Sequence, residues 1–117
     1  MHHLCKNVRM GSKKRLRKDI DYETGFWCAG GVGILREEVW VNAKGEVVRY
    51  NLAFLLPHLS YVDNGRVLGF DNAHGKHERH FMGTFREVEF ENYESTASCF
   101  YREVDTLRRS YEGKNLH

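Results

Sequence analysis

Apolar and polar positions alternate most clearly in the middle of the chain. Val48, Tyr50, Leu52, Phe54 and Leu56 point one way, and Val47, Arg49, Asn51, Ala53 and Leu55 the other. A period of two with one fully apolar face predicts a strand in an antiparallel sheet, and Pro57 ends it. A shorter alternation begins near Glu37. Val39 and Val41 interleave with Glu38, Trp40 and Asn42, and Asn42-Ala43-Lys44-Gly45 signals a turn. Asp63-Asn64-Gly65 is the strongest turn tripeptide, because these residues tolerate positive φ. Arg66 to Phe70 reads as the next strand, and a fourth is expected within His80–Met82 or Glu87–Phe90. Residues 25–33, with four glycines, read as a turn-rich entry segment; Gly30-Gly31-Val32-Gly33 is no dinucleotide fingerprint, since neither a strand nor a helix pattern flanks it.

The period changes near the C-terminus. Ala97, Phe100, Tyr101, Val104, Leu107 and Tyr111 fall on one helical stripe, which predicts a face packed on the sheet. Asn92 is placed to cap the helix, Glu94 lies in the first turn, Arg108 and Arg109 lie in the last, and Gly113 is the expected stop. The expected fold is α+β, an antiparallel β-sheet of three to five strands packed against a C-terminal amphipathic helix.

At 117 residues the chain has room for one domain, placed at 19–113. No apolar run approaches the roughly 18 residues of a membrane span, and the N-terminus lacks the apolar stretch of a secretory signal, so a cytoplasmic protein without membrane contact is expected. Three cysteines without paired spacing, Cys5, Cys28 and Cys99, suit reduced thiols, with Cys99 a small core residue. A zinc site of His2, His3 and Cys5 is set aside, since no second pair stands at zinc spacing.

The net charge of +2 conceals a split. Residues 1–18 hold seven cations and no acid, whereas the remainder holds 11 cations and 16 acids. This basic arm, read as flexible, supplies Lys13, Lys14, Arg15, Arg17 and Lys18 as candidate nucleic-acid contacts; the competing reading is a solvated tail. Residues 1–9, upstream of Met10, are read as an extension of the reading frame without function.

Candidate chemistry concentrates in residues 71–80, where Asp71, Asn72, His74, Lys76, His77, Glu78, Arg79 and His80 stand together. Such density after an apolar strand marks either a site or a solvated loop, because unpaired burial would be costly. Histidine exchanges protons near neutral pH. Cleavage of RNA without metal needs a base, an acid and cations for the phosphorane. His80 with His74 or His77 supplies the first two, and Arg79 and Lys76 supply the third. Asp71 would orient a histidine or hold a cation. A metal site of Asp71 with His74, His77 or His80 is the weaker reading, since only a loop gathers all three histidines. No cofactor is expected.

The run Val67-Leu68-Gly69-Phe70-Asp71-Asn72, then Gly75-Lys76, then Glu78-Arg79-His80, resembles the signature of the TumE family of toxins. Arg49-Tyr50-Asn51-Leu52-Ala53-Phe54 before it, and Phe90, a polar cap and the amphipathic helix after it, resemble that family's order of elements over about residues 35–110. The resemblance implies a small cytoplasmic bacterial toxin, a helix-turn-helix antitoxin as partner, and a ribonuclease-like activity on RNA. Asp71, Asn72, Gly75, Lys76, Arg79 and His80 match the signature. Glu78 departs from it, standing where relatives read histidine; it either substitutes as a base, yields that role to His77, or marks a lost activity. The alternative is a non-catalytic nucleic-acid- or protein-binding inhibitory protein using residues 13–18 and 71–80 as its surface. A DNA-binding regulator is weaker still, because no helix-turn-helix pattern is present. An exposed sheet edge makes a homodimer a reasonable expectation.

Overall fold

The computed structural model describes residues 15–116. Six strands follow in chain order, β1 (Arg17–Cys28), β2 (Gly31–Val41), β3 (Val47–Leu55), β4 (Arg66–Asp71), β5 (Glu78–Phe81) and β6 (Thr84–Glu87). They form one sheet in the same order, every neighbouring pair antiparallel. The helix α1 (Tyr93–Leu116) covers one face. The fold is therefore α+β, with six strands where three to five are expected. No helix among the described residues is long and apolar enough to cross a membrane.

The alternation in β3 decides which face is covered. Tyr50, Leu52 and Phe54 are buried, and their cross-strand neighbours Phe70 and Leu68 share that face. Phe100 and Val104 of α1 close the core, with the Phe100 ring edge-on to Phe70. Tyr93 and Tyr101 both donate hydrogen bonds to the Glu37 carboxylate and so tie the helix to β2. Asn92 caps α1 as expected, accepting from the Ser95 amide at 2.8 Å. Gly113 does not stop the helix, which continues to Leu116; a glycine inside a helix costs only about 1 kcal/mol relative to alanine.

Two strands lie outside the sequence expectation. The entry segment 25–33 is the tip of a long hairpin, with Ala29 and Gly30 as its turn at φ 54° and 88°. β5 and β6 form a second hairpin around Met82 and Gly83, at φ 49° and 86°. The expected turn at Asp63-Asn64-Gly65 is present, all three residues having positive φ. The basic arm is shorter than 1–18. Arg17 and Lys18 belong to β1, where Arg17 pairs with Asp19 and Lys18 with Asp21 and Glu38. Lys13, Lys14 and the His2, His3 and Cys5 group lie outside the described residues; Arg15 is exposed. Cys28 is fully buried, and Cys99 is partly buried against the core.

Candidate functional site on the open sheet face

Antiparallel partners share a face, so the register alone assembles a row of side chains on the face that α1 leaves uncovered. Asp21, Glu38, Asn51, Asp71, Glu78 and Glu87 are successive partners across all six strands. Five of the six are carboxylates. Lys18 reaches Glu38 at 2.8 Å, and Asn51 donates to the other Glu38 oxygen at 2.9 Å. Lys18 and Arg49 both lie against the Trp40 ring, at 5.0 and 5.4 Å from its centroid. A shallow depression runs from Trp40 and Arg49 past Asn51 to Arg66 and Asp71.

The β4–β5 hairpin builds the centre of this row. Asp71 ends β4, Glu78 opens β5, and the two pair directly. Both are buried, at 6% and 8% exposure. The Asp71 side chain accepts from the Ala73 amide at 3.1 Å, which turns the chain out of β4. Asn72 accepts from the Tyr50 amide at 3.0 Å and donates to the Val48 carbonyl at 2.9 Å, fixing the loop against β3. The turn closes through Gly75, at φ 82°, whose amide donates to the Asn72 carbonyl.

His80 pairs with Gly69 and turns its ring into the same group. Its Nε2 is 3.0 Å from Asp71 Oδ2 and 3.6 Å from Glu78 Oε1. The approach to Asp71 does not have hydrogen-bond geometry despite its length. Nε2 is the one fully buried side-chain nitrogen or oxygen among the described residues without a hydrogen-bond partner. His74 comes in from the loop, 78% exposed, with Nδ1 3.7 Å from Glu78 Oε1.

Arg66 supplies the cation beside this group, a residue the sequence reading passed over. Its side chain lies across Gly69, where an added Cβ would stand 2.8 Å from Arg66 Cδ. From there the guanidinium meets Asp63 at 2.7 Å and Asp71 at 3.4 Å. A glycine inside an otherwise apolar strand is the trace such a close approach leaves in sequence.

The other members of the 71–80 cluster are elsewhere. Arg79 follows the strand alternation to the helix-covered face, where Nε and a terminal nitrogen grip Glu103. It does not share a phosphate-sized space with His80, as the sequence reading had it. His77 bonds the Tyr50 hydroxyl at 2.8 Å and stacks on Phe90 at 3.8 Å, so it packs α1's side of the sheet. Burial, with the charge of Asp71 adding to it, pushes the Tyr50 hydroxyl up to about 12. Lys76 is exposed and only 4.0 Å from Glu87.

Asp71, His74, Glu78 and His80 are thus brought together, with Arg66 beside them; Arg79, His77 and Lys76 are not. An imidazole between two carboxylates, beside a guanidinium, can exchange a proton with a hydroxyl and meet a phosphate. No family model, curated protein or solved structure matches the chain.

Proposed function

We propose that this chain is the toxin of a toxin–antitoxin pair and that it cleaves RNA at the open-face centre by histidine acid–base chemistry. The observation that carries this reading is the buried, unpartnered Nε2 of His80, set between Asp71 and Glu78 on an uncovered sheet face. The run that resembles the TumE signature is the segment that folds into β4, its loop and β5, so the resemblance and the geometry concern the same residues.

In this reading His80 takes the proton of the attacking 2′-hydroxyl on Nδ1, its Nε2 facing Asp71. Asp71 stabilises the imidazolium so formed, as a carboxylate beside a charged imidazole does. The 2′-oxygen bonds phosphorus as the P–O5′ bond breaks, and the leaving 5′-oxygen takes a proton from His74, the second histidine at the centre. Arg66 meets the phosphate, replacing Arg79 in that role. Glu78, 3.6 Å from His80, is close enough to tune that imidazole. Trp40, with Lys18 and Arg49, offers a flat ring and two cations for flanking nucleotides. The partner is a helix-turn-helix antitoxin and the compartment the cytoplasm.

A second reading, a non-catalytic inhibitory binder, draws on a different observation. Arg79 and His77, two of the proposed catalytic groups, are held in structural contacts. Expression of wild type and His80→Ala, with growth and total RNA followed together, separates the two. RNA loss and growth arrest that vanish in the variant support the nuclease. Growth arrest that persists in His80→Ala with intact RNA supports the binder.

A further inference from the structure

The centre has more donor atoms than acid–base chemistry uses. Asp71, His74 and Glu78 each present one ligating atom, and these lie within 4.8 Å of one another. The Nε2 of His80 faces the same two carboxylates and bonds nothing. Glu78, 8% exposed, has the two imidazoles at 3.6 and 3.7 Å, both beyond hydrogen-bond range. A buried imidazole nitrogen is thus left without a bonded partner, 3.6 Å from a carboxylate that has no hydrogen-bonded side-chain partner of its own.

Three of the spacings approach those of a coordination shell. Zinc bonds nitrogen and carboxylate oxygen at about 2.0–2.2 Å, which places neighbouring donors of a tetrahedral site roughly 3.3–3.6 Å apart. His80 lies 3.0 and 3.6 Å from Asp71 and Glu78, and His74 lies 3.7 Å from Glu78. The two histidines approach the carboxylate pair separately, and His74 has to swing in to complete the set. All four donors come from one hairpin, with Asp71 and Glu78 fixed by their direct pairing. The exposed His74 leaves a path from solvent. Charge points the same way. Arg66 is shared between Asp63 and Asp71, so it does not balance Glu78.

We infer that Asp71, His74, Glu78 and His80 together bind one divalent transition-metal ion of the zinc class at the β4–β5 hairpin. Two imidazoles among the donors select such an ion over magnesium or calcium, which prefer oxygen alone. A divalent ion would also offset the two facing carboxylates, Asp71 and Glu78. With the ion in place His80 is a ligand, and its proton-transfer role belongs to the ion-free chain. The inference stands on donor geometry and does not depend on the nuclease reading.

The test is binding and not cleavage. The full chain, stripped with EDTA and dialysed, is titrated with zinc by calorimetry and with cobalt(II) by visible absorption. One ion per chain is expected, with the intense d–d bands of a four-coordinate cobalt site. His74→Ala, Glu78→Gln and His80→Ala should each weaken zinc binding at least tenfold. Lys76→Ala, in the same loop but off the site, should leave it unchanged, and circular dichroism verifies that each variant is folded. Less than one ion per chain overturns the proposal. So does binding that survives Glu78→Gln and His74→Ala but is lost when His2, His3 and Cys5 are replaced, which would place the ion at the N-terminus. Neither outcome bears on whether RNA is cut.

Discussion

Asp71 and Glu78 face each other across the β4–β5 pair, two buried carboxylates on neighbouring strands with no residue between them. Like charges placed directly opposite on a sheet oppose folding by roughly 0.2–1 kcal/mol. In EDTA, Glu78→Gln should therefore raise stability by up to about 1 kcal/mol in denaturant melts. With saturating zinc the order should reverse, because an ion bound only by the folded wild type adds stability that the variant lacks. Wild type more stable than the variant in EDTA would mean that the pair is already neutralised within the chain.

Arg79 and His80 are adjacent, yet their substitution should produce different defects. Arg79 holds Glu103 of α1 with a forked hydrogen-bonded pair, both side chains being less than one-third exposed. Arg79→Ala should cost about 1–3 kcal/mol, as losing a hydrogen bond to a charged group does, while the folded fraction keeps its activity. His80→Ala should remove activity even from the folded fraction, whatever packing the largely buried ring contributes. Paired melts and activity per folded molecule distinguish them. Equal loss of activity at full folding in both variants would return Arg79 to the reacting centre.

Gly69→Ala should act through Arg66. The added methyl takes the space that Arg66 crosses, and a flexible side chain yields before the backbone does. Stability should move by less than about 1 kcal/mol, within the usual range of strand glycine substitutions. RNA affinity should fall as far as in Arg66→Ala, and the double variant should be no worse than either. Additive losses would show that the two residues act separately.

Alkali should unfold the protein through its tyrosines. The Tyr50 hydroxyl is pushed up to about 12 from the ordinary value of 10, chiefly by burial. A group whose folded value is raised contributes stability that is complete below the unfolded value and lost as pH climbs through the folded one. The loss should thus begin near pH 10 and reach about 2–3 kcal/mol by pH 12. Burial, reinforced by Glu37, also raises Tyr93 and Tyr101, which adds to the effect. Tyr50→Phe should flatten the pH dependence of denaturant melts between pH 10 and 12; an unchanged slope would assign the alkaline transition elsewhere.

The elements that show in the sequence are those with one buried and one wet face. β3, β4 and the stripe of α1 carry that contrast, and Asn92 sits where a cap must. β1 is an edge strand, mostly exposed along its length, so no alternation marks it. β6 is exposed at all four positions and is equally silent. The hairpin that carries the candidate site was legible as a polar cluster, because polar groups crowd residues 71–80. Its division between faces was not, since that depends on β5 beginning at Glu78 and thereby sending Arg79 and His80 opposite ways. Arg66 enters through a crossing over Gly69, a contact that spacing along the chain does not encode.

The meander order has a consequence for synthesis. Each strand pairs only with the one before it, so the sheet can grow from β1 while later residues are still in the ribosome. The donors arrive late, Glu78 and His80 entering only when β5 joins β4. The helix that covers the core follows all six strands, since Phe100 and Val104 lie in α1. A partial nascent chain therefore presents a long hairpin and an apolar sheet face before the β4–β5 hairpin is complete, and any partner that recognises that bare face meets the protein before Asp71, Glu78 and His80 are assembled.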